Sequence, residues 1–237
     1  MPGQQPPVQQ LLVEGRDDRH VVWQLCVKHR LPEQFAVVIP GQDWEGRLAP
    51  PARQAHPPTQ EDEAAGITEL LKDVPVRLRQ PGLHTLGIMV DADEDLSRRW
   101  REVRGALARG GYASVPEQPP ANGWISGTAE PVRVGVWLMP DNRASGTLED
   151  FAARLIRDHD PLLARADSVL SEMEVAGLRR YRVAHRPKAL IHTWLAWQEN
   201  PGHPMGLAIK AGALRHDAPP ALEFVGWLRR LFGLPGA

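Results

Sequence analysis

Three carboxylates stand at alternate positions in Asp91-Ala92-Asp93-Glu94-Asp95, directly after the apolar run Gly87-Ile88-Met89-Val90. A strand that leaves a core into such a cluster must neutralise it, because neighbouring carboxylates repel one another where water is scarce. A hard divalent cation does this directly, and oxygen donors completed by water suit the octahedral preference of Mg2+ or Mn2+. Asp91 and Asp93 are two residues apart, so an extended backbone would project both side chains to one side. Asp95 would either join them or cap the helix that follows. A cation held there binds a phosphate oxygen, lowers the pKa of water and stabilises charge on a leaving oxygen, the chemistry of phosphodiester hydrolysis or phosphoryl transfer.

A second stretch has the same grammar. Val8 to Val13 reads as a short strand and ends in Glu14-Gly15-Arg16-Asp17-Asp18. In parallel α/β folds, functional groups gather at the carboxyl ends of strands near a change in strand order, so Glu14 is expected to meet Asp91 as a further metal ligand or as a proton-transfer group. Taken alone, each cluster reads equally well as an acidic turn that caps a helix or meets arginines.

The elements that must position these groups alternate along the first two thirds of the chain. After the first strand, Val21, Val22, Leu25 and Cys26 predict a helix over 18–28, and Phe35 to Ile39 a second strand. A proline-rich polar stretch, 40–65, reads as a loop insertion. Helical spacing resumes over 66–74, and Leu83 to Val90 forms the central strand. Leu96, Trp100, Val103 and Leu107 predict an amphipathic helix over 96–108, with Arg98, Arg99, Arg101 and Arg104 on its solvated face. Tyr112 to Val115 is expected as a short strand and Val132 to Met139 as a clear one. The latter ends at Pro140-Asp141-Asn142, which makes Asp141 a candidate at the edge of the site. A helix over 148–158 follows, with Glu149 in its first turn, where the peptide dipoles favour an anion. Beyond it only helical patterns remain, over 162–174, 189–198 and 221–232, with Trp194, Trp197 and Trp227 expected to pack this layer.

These elements predict an α/β fold with a Rossmannoid, mostly parallel sheet over 1–158 and a C-terminal helical extension over 159–237 packed on it. The 237 residues carry 28 Lys and Arg against 29 Asp and Glu, so no global charge draws the chain to nucleic acid or acidic lipid. A local basic run does exist: Arg179-Arg180-Tyr181-Arg182 through His185-Arg186-Pro187-Lys188 could hold a phosphate backbone, with Arg182 and Lys188 as candidate substrate contacts, or simply be solvated. Cys26, the only cysteine, excludes an internal disulfide and a cysteine-rich zinc cluster. No leader pattern and no apolar run of membrane-spanning length occurs, so a cytoplasmic protein with no membrane association is expected. Neither a Walker sequence nor a Rossmann glycine fingerprint is present.

Leu12-Val13-Glu14-Gly15 with Asp17-Asp18, followed by Val90-Asp91-Ala92-Asp93-Glu94-Asp95, resembles the toprim domain of topoisomerases, bacterial primases, recombination proteins and OLD-type nucleases. The resemblance covers roughly 8–115. It implies acid/base or metal-linked chemistry at Glu14 and Mg2+ binding at Asp91 and Asp93, with a third acidic position at Asp95. Pro140-Asp141-Asn142, Gly146-Thr147-Leu148-Glu149 and Ala196-Trp197-Gln198-Glu199 with Pro201-Gly202 also resemble uncharacterised bacterial proteins related to toprim and OLD nucleases. A Mg2+-dependent nuclease acting on DNA or RNA is the reading this implies, with any ATPase supplied by a separate partner. Asp91-x-Asp93 also resembles the opening of haloacid-dehalogenase-type phosphatases, although residue 95 is Asp rather than Thr or Val. The alternative of another kind is a noncatalytic regulatory or scaffold protein in a nucleic-acid or defence complex.

Overall fold

The computed structural model describes residues 8–41 and 66–236. Most of the expected insertion, including Trp44, His56 and the acidic run at 61–63, lies outside the described residues, as do residues 1–7. The chain runs β1 (Gln9–Leu12), α1 (Arg16–Lys28), β2 (Ala36–Val38), α2 (Gly66–Arg77), β3 (Thr85–Asp91), α3 (Leu96–Arg109), β4 (Trp124–Ile125) and β5 (Arg133–Met139). Then follow α4 (Leu148–Ala153), α5 (Pro161–Val175), a short 3-10 turn (Val183–His185), α6 (Arg186–Ala196), α7 (Met205–Ala211) and α8 (Pro219–Phe232).

One five-stranded sheet has the order β2-β1-β3-β5-β4, parallel except for β4 against β5. The chain steps from β1 to β2 on one side and returns to place β3 on the other, so the strand order changes direction between β1 and β3. A crevice at the carboxyl ends of such strands is where α/β sheets gather functional groups.

Both faces of the sheet are covered, which explains why β3 and β5 read as nearly continuous apolar runs. Leu12, Ile88, Val90, Val136 and Leu138 pack with α2 and α3, whereas Leu11, Met89, Trp137 and Met139 pack with α1, α4 and the C-terminal helices. The helical extension therefore completes the second layer instead of standing apart. Trp137, Phe224 and Trp227 form an aromatic group at that contact, with ring centroids 5.4–5.8 Å apart. Trp194 is buried as expected, but Trp197 is 40% exposed.

Helix α8 approaches the sheet over two glycines. Gly87 and Gly135 are register partners on β3 and β5. A Cβ at Gly135 would lie 2.7 Å from Leu231, and one at Gly87 would lie 2.6 Å from Leu11 and 3.0 Å from Leu231. Leu231 is buried and cannot swing away, so Gly135→Val should destabilise the fold by about 2 kcal/mol through overpacking. The check is the urea midpoint against Gly105→Ala, where a Cβ meets only the Arg109 side chain at 3.7 Å.

The elements depart from the sequence reading at four places. Residues 112–115 form no strand; the Tyr112 hydroxyl instead donates to the Val132 carbonyl at 2.5 Å and accepts from its N–H at 3.2 Å. The two-residue β4 closes the sheet edge in a stretch for which the sequence predicts no element. Helix α4 stops at Ala153 rather than continuing to 158, and Arg154 lies in the turn that follows. Helix α7 was not foreseen, because its seven residues are too few for a repeating pattern.

Candidate functional site

The two acidic strand ends meet. The Asp91 N–H donates to Glu14 Oε1 at 2.8 Å across 77 residues of sequence, and the Leu148 N–H donates to Asp91 Oδ1 at 2.9 Å. Asp91 thereby joins β1 to the start of α4, which also brings the neighbouring Glu149 to the same crevice. Asp18, in the first turn of α1, accepts from the Gly15 N–H at 3.0 Å and is buried beside Glu14.

The electrostatics of this group are those of crowded like charges. Burial first, then Glu14, Glu149 and Asp17, push Asp18 well above the usual carboxylate range. Burial, followed by Asp18, Glu14, Glu149 and Asp93, does the same to Asp91. Glu14 is raised from 4.5 to about 7, chiefly by burial; the Asp91 N–H and Arg99 oppose the rise, while Asp93 and Glu149 add to it.

Asp93 and Asp95 do not stand with Asp91 as an extended strand would place them. Asp93 adopts a left-handed backbone, φ 53°, and forms a bridge to Gly146, with reciprocal hydrogen bonds of 2.9 and 2.7 Å. Its carboxylate is held by Arg99. Asp95 caps α3, accepting from the Arg98 N–H at 2.9 Å.

Arg99 also corrects the expectation of a solvated arginine face. It is 4% exposed, donates to the Asp91 carbonyl at 2.9 Å, pairs with Glu102 at 2.7 Å and binds Asp93. Arg99→Leu should cost about 2 kcal/mol, since a carbonyl and two carboxylates lose their donor while solvent reaches Asp93 and Glu102 and softens the loss. Chemical denaturation of the variant beside Arg101→Leu, a neighbour on the exposed face, measures the difference.

Asp141 belongs to a separate cluster. Burial raises its pKa, but N–H groups of Arg143 and Ala144, each at 2.9 Å, and the Arg154 guanidinium at 2.5 Å outweigh that and hold it below the usual range. Lys188, in the first turn of α6, does reach the acidic group, with Nζ 4.0 Å from Glu149 Oε1. Arg182 is exposed before the 3-10 turn. Cys26 packs in α1 and burial pushes its thiol up to about 12, which keeps it unreactive.

Among the described residues no three His, Cys, Asp or Glu side chains are already arranged around one point as cation ligands. Glu14 and Asp91 each give one oxygen to a backbone N–H, and the second oxygen of each carries no hydrogen bond among the described residues. The donor chemistry nevertheless fits a hard cation: Glu14, Asp18, Asp91 and Glu149 offer oxygen alone, and their shared repulsion is relieved by positive charge. Sequence reasoning missed Asp18 as part of this group and gave Glu149 mainly a helix-end role. The signal for Asp18 was its place one turn after Glu14 in a helix leaving the same strand.

A family described as "Protein of unknown function (DUF3226)" matches residues 8–233, nearly the whole chain, and the chain belongs to it. No curated protein and no solved structure matches. No helix among the described residues is long and apolar enough to cross a membrane.

Proposed function

We propose that this member of the DUF3226 family is a toprim-like enzyme that uses Mg2+ or Mn2+ to hydrolyse or transfer phosphodiesters, with DNA or RNA as substrate. The observation that carries this reading is the joining of Glu14 and Asp91 at the switch point between β1 and β3, 2.8 Å from carboxylate oxygen to backbone nitrogen. Asp91 and Glu14 would hold the cation, with Asp18 and Glu149 completing the negative field around it. The cation would supply Lewis acidity toward a phosphate oxygen and a more acidic water. Glu14, whose pKa of about 7 suits proton exchange at neutral pH, would hold or release a proton at Oε2. Asp93 and Asp95 are assigned to positioning: Asp93 through Arg99, which steadies the Asp91 carbonyl, and Asp95 as the cap of α3.

The test is incubation of single-stranded and duplex DNA and RNA with the protein and Mg2+ or Mn2+. Expected is cleavage that stops with chelator and in Glu14→Gln. Absence of cleavage on every polymer by folded wild type with both cations would overturn the reading.

The hold of Arg99 on Asp93 favours a second reading, in which the protein is a noncatalytic regulatory or scaffold component of a nucleic-acid or defence complex. An internal arginine already neutralises one of the two carboxylates that would otherwise bind metal. Tight partner binding without turnover of any of the nucleic acids is the result it expects.

A further inference from the structure

The 13 residues from Ala176 to Lys188 contain five Arg or Lys and no Asp or Glu, in a chain whose net charge is -1. This segment joins α5 to α6 and is fixed at its base. Arg186 pairs with Glu174 at 3.1 Å and Asp167 at 2.8 Å and donates to Ser171 at 3.1 Å, while the Tyr181 hydroxyl donates to Glu174 at 2.7 Å. Asp167 and Glu174 of α5 are thus engaged by Arg186 and Tyr181, and Glu172 by Arg165 at 3.4 Å. Arg179, Arg180 and Arg182 make no hydrogen bond or ion pair among the described residues. Six residues beyond Arg182, Lys188 stands 4.0 Å from Glu149 at the acidic crevice.

We propose that the surface bearing Arg179, Arg180 and Arg182, continued by Lys188, holds the phosphate backbone of a single-stranded nucleic acid and leads it to the carboxylates at the ends of β1 and β3. The proposal rests on the phosphodiester reading of that crevice and adds to it the form of the substrate and the place where it is held. Positive charge next to a negative centre solves a problem the crevice poses alone, since a polyanion is repelled by Glu14, Asp18, Asp91 and Glu149 unless nearby cations draw its backbone in.

The preference for a single strand comes from the residues that flank the arginines on either side. Leu178 and Val183 are 59% and 66% exposed, and Val175 before them is 92% exposed. Apolar surface at both ends of a run of guanidinium groups can take the faces of unstacked bases, which a duplex keeps hidden. Tyr181 is committed to Glu174, so contact with bases falls to these aliphatic groups and to the arginine planes.

The test is fluorescence anisotropy of a labelled single-stranded DNA of about 16 nucleotides, the upper range for one binding module. It is run in chelator over a series of salt concentrations, with the full chain. Expected is salt-dependent binding that weakens at least tenfold in Arg179→Gln/Arg180→Gln/Arg182→Gln, with the slope of log affinity against log salt reduced by about 2, three lost contacts at roughly 0.7 each. A duplex of the same sequence should bind more weakly. Because the three side chains are exposed, the triple variant should keep its thermal midpoint, and Arg101→Gln/Arg104→Gln on α3 should bind as wild type. Unchanged binding in the triple variant, equal weakening by the α3 variant, or tighter binding of duplex would each overturn the proposal. Since the assay contains no free divalent cation, it stands apart from the cleavage test: loss of cleavage with this binding intact would count against the crevice chemistry alone.

Discussion

Asp91→Asn protein should fold, show no stabilisation by Mg2+, and cleave nucleic acid about 1,000-fold more slowly than wild type. The substitution is nearly isosteric, and Asn Oδ1 can still accept the Leu148 N–H that Asp91 Oδ1 accepts at 2.9 Å. What is lost is the charge. If the carboxylate holds the cation, its removal takes away transition-state stabilisation of about 4 kcal/mol, which is the thousandfold change in rate. Melting curves with and without Mg2+ and single-turnover cleavage rates measure the two effects on one preparation. Cation stabilisation equal to wild type would remove Asp91 from the ligand set.

The second large effect is on stability against pH. Glu14 titrates at about 7 in the folded chain against 4.5 when free, so between those values the folded state holds more protons than the unfolded state. Stability contributed by this group is complete below pH 4.5 and is lost as pH rises through 7. The difference of 2.5 pK units corresponds to about 3 kcal/mol, or roughly 10 °C in Tm for a chain of this size. Asp18 and Asp91, raised mainly by burial, act in the same direction. Asp141 is depressed, so its contribution is lost only on acidification below the window. His20, lowered first by burial and then by Arg19, acts the other way, because its unfolded form takes up a proton near 6.5. Comparison with Glu14→Gln separates the terms: Gln can still accept the Asp91 N–H, and the variant should become more stable relative to wild type from pH 5 to pH 8 in chelator. Saturating Mg2+ should reverse that order at pH 8. A chelated wild type that loses no stability relative to Glu14→Gln over this range would show that the crevice does not disfavour its own charge.

The strand ends were legible because apolar runs and acidic residues adjoin directly. Val13-Glu14 and Val90-Asp91 each mark the point where a buried strand meets the crevice; the βαβ order implies that the strands are parallel, and the strand order that makes β1 and β3 neighbours comes from the structure. What lay beyond the strand ends was harder to read. Alternation predicts that Asp93 follows Asp91, but the backbone turns left-handed at Asp93 and sends its carboxylate to Arg99. Arg99 occupies a polar-looking position between Arg98 and Trp100, and only the tertiary fold shows its side chain lying along the strand end. With the helix expected from 18, Asp18 read as its start; α1 begins at Arg16 with Gly15 as N-cap, so Asp18 lies in the first turn, accepts from the Gly15 N–H and joins the acidic group. The close seat of α8 had a signal in Gly87 and Gly135, since glycine inside a strand often marks the approach of another element. Two-residue β4 and seven-residue α7 gave none, being shorter than the periods by which strands and helices are recognised.

The seat of α8 on β3 and β5 has a consequence for how the protein is made. Leu231 rests on Gly135 and Gly87, laid down 96 and 144 residues earlier, and Phe232 stacks on Phe35 with ring centroids 4.0 Å apart. During synthesis, the part of that sheet face that α8 covers stays open until residues 219–232 have left the ribosome. At about 5–20 residues per second, that leaves several seconds in which an apolar sheet face is exposed, long enough for a holding chaperone to matter. Newly made chains interrupted before Pro219 should therefore be found with chaperones or in aggregates, even though every strand of the sheet has already been made.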